Sequence, residues 1–100
     1  MGFKDPKNCT SLEEVRSEID KIDKHIISLF AERHKYVEEI VRFKHDKNAI
    51  IAQERKDHVI LQRKSWAAEN GLNATTFEKI FTLLVDSNIQ HELELLKSKK

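Results

Sequence analysis

The chain is short of the residues that crosslink, bend or interrupt a polypeptide: its 100 residues include one cysteine, one proline and two glycines. A lone Cys9 cannot close an internal disulfide or build a Cys-rich zinc or iron–sulfur site, so nothing points to an oxidising compartment. Glycines as far apart as Gly2 and Gly71 cannot form a phosphate loop or a dinucleotide fingerprint. Strand-rich folds need turn residues roughly every 8 to 12 positions, and no Pro or Gly falls between Pro6 and Gly71. Long apolar runs are also missing. No stretch approaches the ~20 apolar residues that span a bilayer, and the N-terminus lacks the apolar core of a signal peptide. Neither sign of charge dominates: 18 Lys and Arg are interleaved with 17 Asp and Glu, which argues against a broad nucleic-acid face. These absences together predict a cytoplasmic, all-α protein of one domain, with no membrane and no nucleic-acid partner.

What the chain does have is helical period. Thr10 precedes Glu13 by three and Ser11 precedes Glu14 by three, both capping-box spacings, so a first helix should open near Leu12. Val15, Ile19, Ile22, Ile26 and Leu29 then recur at alternating steps of four and three, and the series resumes at Val37 and Ile40. With no stop before Lys44, the helix should cover about 12–44 and reach roughly 50 Å, whereas a 100-residue globule has a radius of gyration of about 13 Å. A short chain cannot cover so long a stripe, and the economical cover is the same helix of a second subunit. Residues 45–49 are polar and read as a loop. A second helix should span 52–70, marked by Ala52, Val59, Ile60 and Trp66 and closed by Asn70-Gly71-Leu72, with Gly71 left-handed and Leu72 packing back. A third, over 75–96, starts at Thr75 three before Glu78 and carries Phe77, Phe81, Leu84, Val85, Ile89 and Leu95 on one face. Residues 1–10 form a leader, 11–97 the domain and 98–100 a basic tail, with Lys97, Lys99 and Lys100 a solvated, frayed end.

Several polar residues interrupt these faces. Arg16 flanks the start of the first stripe, and the steps of four and three after Leu29 land on Arg33 and, beyond Ile40, on Lys44. A buried cation costs several kcal/mol unless it meets an anion. The anion can be internal, such as Asp20 or Asp23, or it can be a ligand held between facing helices. Arg55 on the second helix and Asn88 and Glu92 on the third interrupt their faces in the same way. The six residues make a mostly positive set suited to a small molecule with two carboxylates. His25, His34, His45, His58 and His91 show no metal-binding spacing, so no metal and no cofactor is expected. Cys9, Ser11, Ser28 and Ser87 lack a nucleophile's setting, Trp66 and the phenylalanines read as core, and Phe43 is the one aromatic expected near a ligand.

These residues resemble the all-helical chorismate mutase family, and within it the isochorismate pyruvate lyase branch. The resemblance runs from Asn8 to about Glu94. It is carried by Cys9-Thr-Ser-Leu12, Ile19-Asp-Lys-Ile-Asp23, Arg33, Tyr36-Val37, Arg42-Phe-Lys44, Ala52-Gln-Glu-Arg55 and Trp66-Ala-Ala-Glu-Asn-Gly-Leu72. It implies an intertwined homodimer of three-helix subunits with two equivalent sites, each borrowing one arginine from the opposite first helix. By position, Arg16 would be that borrowed residue, clamping one substrate carboxylate, with Arg33 on the other. Lys44 would donate to the ether oxygen as the C–O bond breaks, Arg55 would lie near the ring, and Asn88 would help hold a carboxylate. Glu92 would face the ether oxygen opposite Lys44, where a Gln is usual.

The implied chemistry needs no nucleophile or metal. The mutase rearranges chorismate to prephenate and the lyase splits isochorismate into salicylate and pyruvate, both within one bound substrate, so fixed cations that fold the substrate and stabilise the growing oxyanion suffice. Mutases of the family typically carry an Asp three residues before the second-helix arginine and a Glu directly after it. Here those positions are Ala52 and Lys56. The departure favours the lyase with some mutase activity, while Glu92 departs from the lyase pattern and leaves the mutase of aromatic amino-acid biosynthesis as the alternative. A non-catalytic helical dimer, its seam cations paired internally, is the rival of a different class.

Overall fold

In the computed structural model, described over residues 2–98, a 3-10 turn at Pro6–Asn8 precedes four α-helices: α1 (Leu12–Ile40), α2 (Lys47–Ile51), α3 (Gln53–Glu69) and α4 (Ala74–Ser98). No strand occurs among the described residues, and none of their helices is long and apolar enough to cross a membrane. The chain divides into two compact units, one ending at Lys35 and the other beginning at Tyr36.

The first unit is organised by the start of α1. The Ser11 hydroxyl accepts the Glu14 N–H at 3.1 Å, which satisfies one of the unpaired donors at the helix start. The Glu14 carboxylate reaches back to accept the Thr10 N–H at 2.7 Å and hydroxyl at 2.5 Å, so the forward half of the expected Ser11–Glu14 box forms and its return bond falls one residue early. Glu14 also pairs with the Lys4 ammonium, and the Lys4 N–H donates to Glu18 at 3.2 Å. The Lys4 and Thr10 bonds hold the Glu14 carboxyl at about 2, down from 4.5. Farther along, the Phe3 ring lies 6.4 Å from that of His25, so the leader is laid along the face of α1 that carries Glu14, Glu18 and His25. The apolar stripe on the adjacent face stays open to solvent: Val15, Ile19, Ile22, Ile26 and Leu29 are 37–56% exposed.

The second unit holds the buried side chains Val37, Val41, Ile50, Val59 and Ala67. α1 stops at Ile40 rather than near Lys44, because the next amides tighten onto carbonyls three residues back: Val41 to Glu38, Arg42 to Glu39 and Phe43 to Ile40. The stretch expected as a loop at 45–49 instead enters α2. Asp46, in extended conformation, accepts the Ala49 N–H at 2.8 Å, and Ile50, only 2% exposed, anchors the turn. Ala52 then takes the left-handed conformation, φ 38° and ψ 61°, which breaks the chain between α2 and α3. The second of the expected helices is therefore α3, starting at Gln53.

Asn70-Gly71-Leu72 closes α3 as expected. Gly71 has φ +74°, its N–H bonds to Ala68 at 3.1 Å, and the Leu72 N–H bonds to Ala67 at 2.9 Å. The Leu72 side chain is half-exposed. α4 begins earlier than Thr75, because the Asn73 side chain accepts the Thr76 N–H at 2.9 Å. It also runs past the expected end: Lys97 is helical, the Ser98 hydroxyl donates to the Glu94 carbonyl, and the remaining tail residues Lys99 and Lys100 lie outside the described residues. Trp66, expected in the core, is 46% exposed, with the Arg63 guanidinium 4.7 Å from its ring centre.

α3 packs on α4 in antiparallel fashion. Two ion pairs mark the register: Lys56 with Asp86 at 2.5 Å and Lys64 with Glu78 at 3.3 Å, eight residues apart on each helix. A third contact, Glu38 with His91 at 2.8 Å, ties the end of α1 to α4. α2 also rests on α4, and Lys47 lines a cleft with Leu93, Leu96 and Lys97.

The two left-handed residues should respond oppositely to substitution. A Cβ at Gly71 meets nothing within 4 Å, so Gly71→Ala carries only the conformational penalty, about 1 kcal/mol of stability. Ala52→Gly relieves the same penalty and should leave stability within about 0.5 kcal/mol of wild type, where an Ala→Gly change inside a helix costs about 1 kcal/mol. Urea denaturation of the two variants checks both.

Candidate active site

The six residues picked out by pattern fall on different elements and into both units. Arg16 and Arg33 are on α1 in the first unit. They are 17 positions apart on one continuous helix, which at 1.5 Å per residue is about 25 Å. At 3.6 residues per turn, 17 positions also turn the second side chain roughly 100° away from the first, so the two arginines leave one copy of α1 on different faces as well as at different levels. Arg16 is exposed, and Arg33, half-buried, borders a shallow apolar cleft with Ile26, Leu29 and Phe30.

The other four belong to the second unit. Asn88 and Glu92 are one helical turn apart on α4, so their side chains leave the same face. Glu92 is the one buried charged residue among those described, 5% exposed among otherwise apolar core side chains. Lys44 is half-buried and sits just after the tightened end of α1, its N–H bonded to the Ile40 carbonyl at 3.2 Å. Arg55, exposed, is in the first turn of α3. The ion pairs place these elements along one stretch of α4: α3 is tied to it at Asp86, and the end of α1 at His91. Lys44, Arg55 and the Asn88–Glu92 pair are thus carried by elements that meet between residues 86 and 92. Phe43, expected near the ligand, is 68% exposed under the Arg42 guanidinium.

Among the described residues, Arg16, Lys44 and Arg55 form no side-chain ion pair, so Asp20 and Asp23 do not neutralise Arg16. The tethers Lys56–Asp86 and Glu38–His91 are what sequence reasoning missed. Lys56 stood out only as a departure from a family pattern. Its pairing becomes visible once the antiparallel register of α3 and α4 is known.

The described residues form an all-helical protein in which the elements carrying Lys44, Arg55, Asn88 and Glu92 meet along α4. The chain belongs to the chorismate mutase type II family, whose pattern it matches over residues 15–93, across both units. It is 36% identical over 92 residues to the isochorismate pyruvate lyase of Pseudomonas aeruginosa, covering 92% of this chain and 91% of the relative. It is also 30% identical to the bifunctional chorismate mutase/prephenate dehydratase of Buchnera aphidicola and to the T-protein of Haemophilus influenzae, over 81% and 82% of this chain. It spans only 21% and 22% of those two longer proteins.

Cations with no internal partner carry little of the fold. Arg16→Ala and Arg55→Ala should each change unfolding free energy by no more than about 0.5 kcal/mol. A loss of several kcal/mol in thermal or urea unfolding would show instead that these charges serve the structure.

Proposed function

We propose that this protein is a cytoplasmic isochorismate pyruvate lyase in salicylate biosynthesis, with some chorismate mutase activity, working as a homodimer with two shared sites. The observation that carries the reading is its similarity to a lyase along nearly the full length of both chains. Ala52 and Lys56 support it, because they stand where the mutases of the family bring an acidic pair to the ring hydroxyl of chorismate. The alternative, a chorismate mutase of aromatic amino-acid biosynthesis, draws its support from Glu92, from the family match itself and from the mutase-containing relative. The rival of a non-catalytic helical dimer is disfavoured by the similarity to a lyase along nearly the full length of both chains.

In this reading residues 11–97 act as one chorismate-mutase-type domain. Arg33 clamps one carboxylate, and Asn88 supports a carboxylate from α4. Arg55 lies against the ring. The second carboxylate meets Arg16 of the opposite subunit, which accords with the length of helix separating the two arginines. Lys44 places a positive charge at the ether oxygen, where negative charge appears only as the C–O bond breaks, so its contribution is made to the transition state. Both reactions proceed inside one bound molecule. The cations hold the folded conformer and stabilise the oxyanion, and no protein nucleophile takes part.

Glu92 gives the reading a distinctive pH dependence. An ether oxygen only accepts hydrogen bonds, so a residue beside it helps as a donor, and a carboxyl donates only when protonated. An ionised Glu92 would also oppose the growing negative charge. Turnover should therefore rise as pH falls through the Glu92 titration in the complex, until the substrate or the fold begins to fail.

Incubation with isochorismate, followed by salicylate fluorescence, and with chorismate, followed by prephenate, tests the assignment. Salicylate formation faster than prephenate formation is expected, and Glu92→Gln should flatten the acidic limb and keep or raise turnover at neutral pH. Prephenate as the faster product would make the mutase the main activity. Loss of activity at every pH in a folded Glu92→Gln dimer would show that Glu92 works as a carboxylate.

A further inference from the structure

The start of α3 is built unusually for an element that presents a site residue. The first N–H groups of a helix lack intrahelical partners and are commonly satisfied by a side chain at the cap. Ala52 offers none, and it occupies the left-handed region as well. The side-chain bond from Gln53 to Asp57, at 2.9 Å, is internal to α3 and ties it to nothing else. Lys56 ties this turn to another element through an ion pair: its partly buried side chain places its ammonium 2.5 Å from the half-exposed Asp86 carboxylate on α4, two residues before Asn88.

Arg55 is the residue directly before Lys56. It is exposed and has no ion pair among the described residues, so the direction of its long side chain depends on the backbone beneath it. An uncapped first turn frays readily, and fraying would let Arg55 swing away from the stretch of α4 that carries Asn88 and Glu92. We infer that the Lys56–Asp86 ion pair is a positioning device that clamps the start of α3 to α4 and so fixes the placement of Arg55 for a dianionic substrate. The inference rests on the lyase and mutase reading of the site. In this role Lys56 and Asp86 are positioning residues that act through Arg55.

A double-mutant cycle on the intact dimer tests it, with KM and kcat measured for whichever of isochorismate and chorismate the wild type turns over faster. Lys56→Ala and Asp86→Ala should each raise KM about three- to tenfold and leave kcat within about twofold, as expected when ground-state binding is lost. The reversed pair, Lys56→Asp with Asp86→Lys, should bring KM back to within about twofold of wild type. In an Arg55→Ala background Lys56→Ala should change KM no further, since its effect is already spent. A merely structural role would instead lower kcat with stability and would add to the Arg55→Ala loss. If Lys56→Ala fails to fold, the reversed pair decides: a folded dimer with the KM of Arg55→Ala overturns the inference. An active wild type whose KM ignores Lys56 and Asp86 overturns it alone. A wild type that turns over neither substrate overturns the functional reading and this inference with it.

Discussion

The apolar stripe of α1 is the constraint on which the rest of the account depends. Five aliphatic side chains from Val15 to Leu29 follow the helical period closely enough to make one continuous face, yet each stays between 37% and 56% exposed. A half-exposed aliphatic side chain leaves about 1 kcal/mol of transfer free energy unrealised. Summed over the stripe this is several kcal/mol per chain, comparable with the ~5–15 kcal/mol that holds a whole domain folded. A second copy of the same helix has the length and the period to cover it.

The placement of charge follows the same logic. Arg16 sits beside the stripe and Arg33 lies at its far end, so an association that buries the apolar residues would also decide which guanidinium groups come close to one another. The helix rise keeps the two arginines of one chain about 25 Å apart. Two chains with their first helices antiparallel would bring unlike ends together. Lys44, Arg55, Asn88 and Glu92 need no such help, because the second unit already gathers their elements along α4 through Lys56–Asp86 and Glu38–His91. The six residues thus fall into two groups: four on elements gathered along α4, and two arginines spaced along α1.

Much of this architecture was legible in the sequence wherever a local rule decides the outcome. Ser11 and Gly71 act through bonds that span a few residues, and the pattern around each contains the whole cause. The polar interruptions of apolar faces were equally informative: Glu92, picked out because it broke the third stripe, is buried. The failures have local and tertiary sources. Asp46 and Ile50 make a helix of five residues, too short to show a period, and nothing about Ala52 announces a left-handed backbone. Trp66 has the spacing of a core residue, but its side chain is 46% exposed, with the Arg63 guanidinium over its ring. The pairing of Lys56 with Asp86 depends on the register of two helices thirty positions apart in the chain at that point, which no local pattern encodes.

The claim that ties fold to chemistry is that each site takes Arg16 from one copy and Arg33 from the other. Mixing a folded but inactive Arg16→Ala protein with a folded but inactive Arg33→Ala protein tests it directly. In a mixed dimer one site carries both defects and the other carries neither, so half the dimers formed by random exchange should each regain one intact site. Activity should rise to about a quarter of the wild-type level per chain. No recovery, with subunit exchange confirmed by mass spectrometry of differently tagged chains, would contradict the shared site.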